Sequence, residues 1–263
     1  MAASYNLRPD VRERVAPQAS ATVLAEYIIA NPGQQETVLH NARFHSANVA
    51  PKNQATRSVI EAYCCDPSHD SDEGFHASVA SLKQKAQDSA LTPGKRDEAS
   101  RCAEALEDFW GNKQAFGADS YLYRAPAFGN SIDISGLQVT VYPNLQTGDF
   151  PPEDGKKTGL IFIRPQKTPN PEDYKSAETR AAKVVYREEV AKFLLVIGRM
   201  LAEEAGLQPA LFDTKRSQVW DIRLGRAIGF PTDCVSRQKQ VFAAAKQIKN
   251  LWDSIEPKPS DLL

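Results

Sequence analysis

The sequence predicts an α/β (α+β) fold in which a helical N-terminal region precedes a core of alternating helices and strands. Apolar residues recur at helical spacing in the first part of the chain, whereas β-rich runs bounded by proline appear after Gly117. A long amphipathic segment separates the last two runs. We therefore predict a helical region over 1–91, an α/β core over 92–255 and a flexible tail over 256–263.

Five amphipathic segments predict the helices that precede the first strand. Ala21 to Ala30 carries its large apolar residues on one face, and the Asn-Pro-Gly sequence after it stops the helix. Gln34 to Ala42 is the second helix, and Asn53 caps the third. Phe75 starts the apolar stripe of the fourth helix. A Thr-Pro pair at 92–93 favours the start of the fifth.

Four β-rich runs predict the strands of the core, and two helices complete it. Gly159–Arg164 is almost continuously apolar, which is typical of a central strand buried on both faces. A helix from Asn170 to Ala205 follows it, and the last helix carries Val241 and Trp252 on its buried face. The other strands are predicted at Tyr121–Tyr123, Leu137–Tyr142 and Gln218–Arg223, with a mobile connection over 144–158.

Composition restricts the classes of protein that this chain can belong to. Its 263 residues are 41% hydrophobic and 25% charged, as in ordinary globular proteins. No run approaches the about 18 apolar residues of a membrane span, and the polar start lacks the apolar core of a signal peptide. Four cysteines give no disulfide framework. We therefore expect a soluble, cytoplasmic protein with no membrane partner.

The net charge of -1 hides an asymmetry along the chain. Residues 1–155 carry 13 basic and 20 acidic side chains, a balance of -7, whereas 156–249 carry 18 and 10, a balance of +8. The segment 250–263, with one basic and three acidic side chains, adds -2. Opposite charge in the two halves indicates either an acidic partner for the second half or attraction between the halves.

The order of elements from residue 93 onward is α-β-β-β-α-β. This order, with Pro143-Asn144 at the end of one strand and an apolar strand after the next loop, resembles the core of the PD-(D/E)xK, or restriction-endonuclease-like, superfamily. The resemblance implies an Asp after that proline and a (D/E)xK motif on the following strand. In that family the carboxylates hold Mg²⁺ and the lysine orients or activates the attacking water.

The motif is degenerate in this sequence. Asn144 stands in the Asp position, and Leu160 and Phe162 stand where the carboxylate and the lysine are expected. No shift of strand register would supply the missing carboxylate and lysine, because 159–163 contains no charged residue. We therefore expect the usual metal site to be absent, and we assign no catalytic residue, no metal ligand and no cofactor.

The basic half of the chain supplies candidate contacts to a nucleic acid, either DNA or RNA. Trp220 and Phe230 lie among its cations, and exposed aromatic rings can stack on bases. The alternative is that both rings are core residues and that the charges are solvated helix faces. The predicted nucleic-acid-binding residues are Arg164, Lys167, Arg223, Arg226, Arg237 and Lys239.

We thus predict a nucleic-acid-associated protein with a catalytically degenerate nuclease-like core, which binds DNA or RNA or recruits a protein partner. One alternative is a metal-dependent nuclease with a rearranged site built from Glu104, Asp133 and Asp221, which would require Mg²⁺. The other alternative is a protein-interaction module that binds no nucleic acid and docks a partner through its helical half.

Overall fold

A computed structural model shows that the protein is mixed α/β. The structure describes residues 5–46, 53–66, 68, 72–153, 155–166 and 169–263. Lys167, a predicted nucleic-acid-binding residue, lies outside these ranges. The helices of the described part are α1 (Ala21–Ile29), α2 (Pro32–Arg43), α3 (Gln54–Cys65), α4 (Asp72–Gln87), α5 (Pro93–Gly111), α6 (Lys113–Phe116), α7 (Ala177–Glu204) and α8 (Cys234–Leu251). Its strands are β1 (Val11–Glu13), β2 (Gln18–Ser20), β3 (Phe44–Ser46), β4 (Tyr123–Arg124), β5 (Ser131–Ile134), β6 (Leu137–Thr140), β7 (Leu145–Thr147), β8 (Gly159–Arg164), β9 (Gln218–Asp221) and β10 (Arg226–Gly229). None of these helices is both long and apolar enough to cross a membrane.

Side-chain caps set the starts of the first two helices. The Ser20 hydroxyl accepts a hydrogen bond from the Val23 N–H, and the side chains of Asn31 and Gln34 accept from each other's backbone N–H groups. The predicted position of α1 is confirmed, but α2 begins at Pro32 rather than at Gln34. The Asn-Pro-Gly sequence that ends one helix also starts the next, because proline is favourable at the first helical position.

A five-stranded sheet forms the centre of the core, in the order β10-β9-β8-β7-β4. β8 and β9 are parallel and are connected by α7, while each other neighbouring pair is antiparallel. All six residues of β8 are buried, which confirms the prediction of a central strand covered on both faces. Leu160 and Phe162 belong to the apolar cluster that contains α7, whereas Ile161 and Ile163 belong to the cluster that contains α5.

The strand next to β8 is not the one that the sequence predicts. The predicted run at Leu137–Tyr142 contains β6, which pairs with β5 and β2 in a separate three-stranded sheet. The place beside β8 belongs to β7, within the stretch interpreted as a mobile connection. β7 has three residues and one large apolar side chain, so it carries no alternation signal. Gln146 is nevertheless buried, because its amide hydrogen-bonds with the Ala127 N–H and the Gly148 carbonyl.

Both apolar clusters include residues of the N-terminal helices. Leu24 of α1 lies in the cluster with Val219 of β9, and β2 pairs with β6 in parallel. On the other face, Ile60 of α3 lies in the cluster with Trp220. On the two sides of the sheet, α1 packs against α7 and α3 packs against α5.

The two aromatic residues of the basic half are packed inside. Trp220 is fully buried, and its ring lies 5.7 Å from that of Phe116. Phe230 is half-buried, with its ring 5.5 Å from that of Phe212. The packing thus supports the alternative in which both are core residues, and neither ring stands free to stack on a base.

The C-terminal segment 256–263, which we expected to be flexible, is hydrogen-bonded to the N-terminal segment. Leu7 forms an isolated antiparallel bridge with Leu262, and the Arg8 N–H donates to the Asp261 carbonyl. The Asp261 carboxylate lies 2.7 Å from Nε2 of His40 on α2. Backbone and side-chain contacts therefore join the two end segments.

A buried ion pair connects α7 with the end of β9. Arg187 donates from Nε and Nη2 to the two carboxylate oxygens of Asp221, at 2.8 and 2.6 Å, and both side chains are 0% exposed. The remaining guanidinium donors of Arg187 reach the carbonyls of Gln166 and Pro169, and Asp221 also accepts from the Leu224 N–H. Every charge of the pair is thus compensated by a partner, as burial requires.

Removing one partner of this pair should destabilise the fold strongly. We expect Asp221→Leu and Arg187→Met each to lower the free energy of unfolding by about 3–5 kcal/mol, because each leaves a buried charge uncompensated. The double variant Arg187→Met/Asp221→Leu should lose less than the sum of the two single changes. Urea denaturation measures all of these values.

The control is Lys83→Met, which removes the exposed ion pair with Glu107 and should cost less than about 1 kcal/mol. Single losses at Arg187 and Asp221 as small as that of the control would contradict a structural role for the buried pair.

Candidate functional site

A cleft of about 570 Å³, lined by both polar and apolar side chains and called the polar cleft below, opens at the carboxyl end of β8. The start of α1, one side of α3, the residues after β6 and the residues that end and follow β8 form its walls. Its charged, amide and aromatic lining residues include Arg57, Glu61, Tyr142, Asn144, Arg164 and Gln166. Asn144 and Phe162, two of the three positions compared with the nuclease motif, therefore line this cleft.

The backbone N–H and both side-chain polar atoms of Asn144 form hydrogen bonds inside the protein. Its backbone N–H donates to the Ile161 carbonyl at 2.8 Å, and its Oδ1 accepts from the Ile163 N–H at 2.7 Å. Its Nδ2 donates to Oε1 of Glu61 at 2.7 Å. An aspartate could not make the last bond, because an ionised carboxylate only accepts hydrogen bonds. The side-chain amide is therefore what joins β7, β8 and α3.

The residues around Asn144 do not fit a magnesium ion. Magnesium sites in proteins rely on carboxylates, and Leu160 and Phe162 of β8 are apolar and packed in the core. Glu61 is the one carboxylate bonded to Asn144, and it accepts the amide donor. In the described ranges, no group of three His, Cys, Asp or Glu residues could hold a metal ion.

Arg164 supplies a buried positive charge at the base of the cleft. Its Nη1 donates to the Arg187 carbonyl at 3.0 Å, and the residue is 4% exposed. Burial and the neighbouring Arg187 lower the pKa of its guanidinium, while Asp221 and Glu26 oppose this shift. Burial raises the pKa of Glu26, and the charge of Arg164 counteracts that rise. Two cations and two carboxylates thus compensate one another beneath the cleft.

Arg57 and Glu61 bring a second cation and a carboxylate to the α3 wall. Arg57 is half-buried, and burial lowers the pKa of its guanidinium while Glu61 opposes the shift. Tyr142 lies at the rim with 61% of its surface exposed. Gln166 contributes a buried Oε1 that has no hydrogen-bond partner among the described residues. Beside the mutually compensating charges of Arg57 and Glu61, the cleft therefore offers one exposed aromatic ring.

Two of the predicted nucleic-acid-binding residues, Arg223 and Arg237, lie in largely buried internal ion pairs. Nη1 of Arg223 lies 2.6 Å from the Asp108 carboxylate, and its Nη2 lies 3.6 Å from that of Glu104. Nη1 of Arg237 lies 2.8 Å from the Glu189 carboxylate. Both guanidinium groups are about one-tenth exposed and face acids of the same chain. Part of the charge asymmetry is therefore neutralised within the molecule.

The other predicted residues do not share one surface patch. Arg164 is buried under the cleft, and half-exposed Arg226 lies 3.1 Å from Glu188. Lys239 is exposed on α8, and Lys167 lies outside the described residues. Of the residues that the structure describes, Arg164 alone of the predicted set lines the cleft.

The three carboxylates of the rearranged nuclease alternative each have a structural partner. Asp133 accepts from the Gly136 N–H in the turn between β5 and β6, and Asp221 is paired with Arg187. Glu104, on α5, lies in the ion pair with Arg223. They do not form one metal-binding group in the described part of the chain.

The cleft residues that sequence reasoning missed left a weak signal. Arg57 and Glu61 are four positions apart on α3 and therefore lie on one helix face. Tyr142 ends the alternating run that predicts a strand, but nothing local shows that its ring is exposed. Only the fold brings these residues to the end of β8.

Comparisons with family models, with curated proteins and with solved structures found no match to this chain. Geometry and charge are therefore the basis for assigning a function.

Replacing the donor group of Asn144 by an acceptor tests the role of its side-chain amide. Asn144→Asp should lower the free energy of unfolding by about 1–3 kcal/mol, because it places a carboxylate against Glu61 and loses a donor. Repulsion favours protonation of one carboxylate in the folded state. The folded variant then binds more protons than its unfolded chain, so the loss should shrink as the pH falls below neutral.

The matched variant Glu61→Gln/Asn144→Asp restores a donor opposite an acceptor and should recover most of the stability at neutral pH. Thermal or urea denaturation at several pH values measures both effects. If the double variant is as unstable as Asn144→Asp alone, the hydrogen bond between the two side chains is not the cause.

Proposed function

We propose that this protein binds a single strand of nucleic acid in the polar cleft and does not cleave it. The observation that carries the proposal is the exposed ring of Tyr142 on the rim of a cleft lined by Arg57 and Arg164. Guanidinium groups attract phosphates, and an exposed ring stacks on an unpaired base. Proteins that bind single strands commonly combine these two features.

The resemblance to the endonuclease-like superfamily supports this location. α5 precedes β4, β7 and β8 of one sheet, α7 follows, and β9 returns beside β8. Without the short α6 and without β5 and β6, which belong to another sheet, these elements follow one another as α-β-β-β-α-β. The cleft contains Asn144, the residue that the resemblance would align with the first catalytic Asp. Within this proposal the cleft retains a binding role, while Asn144 replaces the metal-binding carboxylate.

Uncharged side chains such as Gln54 also line the cleft and can hydrogen-bond to bases. A volume of about 570 Å³ matches a site that encloses a nucleotide-sized group.

Binding of fluorescein-labelled oligothymidine and oligouridine, followed by anisotropy at several salt concentrations, tests the proposal. Tyr142→Ala should weaken binding about 5–100-fold, because one stacking contact is worth about 1–3 kcal/mol. Arg57→Ala should lower the slope of log affinity against log salt by about 0.7, the value for one phosphate contact to a single strand.

Tyr121→Ala and Lys215→Ala are the matched controls, since they remove an exposed ring and an exposed cation outside the cleft and should leave binding unchanged. Absence of binding at low salt, or equal affinity of the wild type and both cleft variants, would overturn the proposal.

A second measurement tests the absence of cleavage. The labelled strands should stay intact during incubation with Mg²⁺ or Mn²⁺, because the residues near Asn144 do not fit a divalent ion. Cleavage that depends on the metal and is lost in Asp133→Ala would instead support the nuclease alternative.

A further inference from the structure

We propose that the solvent-facing side of α8 docks an acidic, amphipathic helix of a partner protein. The docking stripe consists of Val235, Lys239, Phe242, Lys246 and Lys249, all exposed. At 3.6 residues per turn these five positions fall within about 80° of the helix circumference. They therefore form one continuous stripe along the helix.

Exposed apolar side chains on this stripe have the spacing of a helix interface. Val235 is 69% exposed and Phe242 is 43% exposed. They lie seven positions apart, which is the repeat at which two packed helices renew their contacts. Lys239 and Lys246 repeat the same spacing beside them. The stripe thus alternates apolar contacts with positive charges.

The helix has no negative charge that would compensate these lysines. Cys234–Leu251 contains no Asp or Glu, and no ion pair joins Lys239 or Lys246 to a described residue. Asp233 and Glu189 both lie in ion pairs with Arg237, which is on the buried side of α8. Lys249 leans on the turn at Gly136, where a Cβ would lie 2.8 Å from its Nζ. The exposed lysines therefore favour a partner that carries carboxylates.

The apolar residues distinguish this partner from other anionic surfaces. A phosphate backbone provides no apolar counterpart for Val235 and Phe242. A membrane-surface helix needs a broad apolar face, whereas here the two apolar side chains are separated by lysine. A helix with apolar residues seven positions apart and flanking Glu or Asp complements both features. None of the residues that line the polar cleft belongs to α8, so this surface is independent of the cleft.

The probe is a synthetic helical peptide with leucine at two positions of each heptad and glutamate at the flanking positions. A second peptide carries glutamine in place of every glutamate. The fluorescence anisotropy of each labelled peptide is measured as the full chain is added. The glutamate peptide should bind at least about tenfold more tightly than the glutamine peptide. Lys239→Glu/Lys246→Glu and Val235→Ser/Phe242→Ser should each weaken that binding by about tenfold or more.

Lys157→Glu/Lys215→Glu is the control, because it makes the same change in net charge at exposed positions outside α8. It should leave peptide binding unchanged. The proposal is overturned if the two peptides bind equally, if the control loses as much affinity as the α8 variants, or if the wild type binds neither peptide. The α8 variants are also tested for binding to oligothymidine and to anionic vesicles. The proposal is overturned if these variants lose either of those interactions but still bind the glutamate peptide as the wild type does.

Discussion

The buried pair of Arg187 and Asp221 constrains the geometry around the end of β8. Two charges without access to water are tolerated only when hydrogen bonds satisfy them, and here the partners come from α7, β9 and the connection after β8. The pair therefore fixes the position of α7 relative to the two parallel strands. Since the Arg187 carbonyl accepts from Arg164, it also places the cation beneath the cleft.

Asn144 links this sheet to the N-terminal helices in a similar way. Its amide needs one acceptor and one donor, and it finds them in Glu61 of α3 and in the backbone of β8. An ionised aspartate at this position could not donate to Glu61, so the amide itself provides the structural bond. The wall of the cleft therefore depends on this side chain.

The sequence predicts those elements whose own residues carry a strong period. The apolar patterns of α1, β8 and α7 are long enough to predict these elements from the sequence alone. The central position of β8 is predictable because nearly all of its residues are apolar. β7 is short and two of its three residues are polar, so only tertiary hydrogen bonds explain its burial. The count of charges along the chain likewise cannot show that Arg223 meets Asp108, because that pair joins distant segments. The cleft is harder still to predict, since its walls come from α1, α3 and the main sheet.

The bridge between Leu7 and Leu262 has a consequence for how the molecule assembles. Joining two points so far apart along the polymer closes a very large loop, whose entropic cost is recovered only once the intervening layers are already packed. We therefore expect this contact to form late in folding. Once made, it holds the segments around Leu7 and Leu262 against each other.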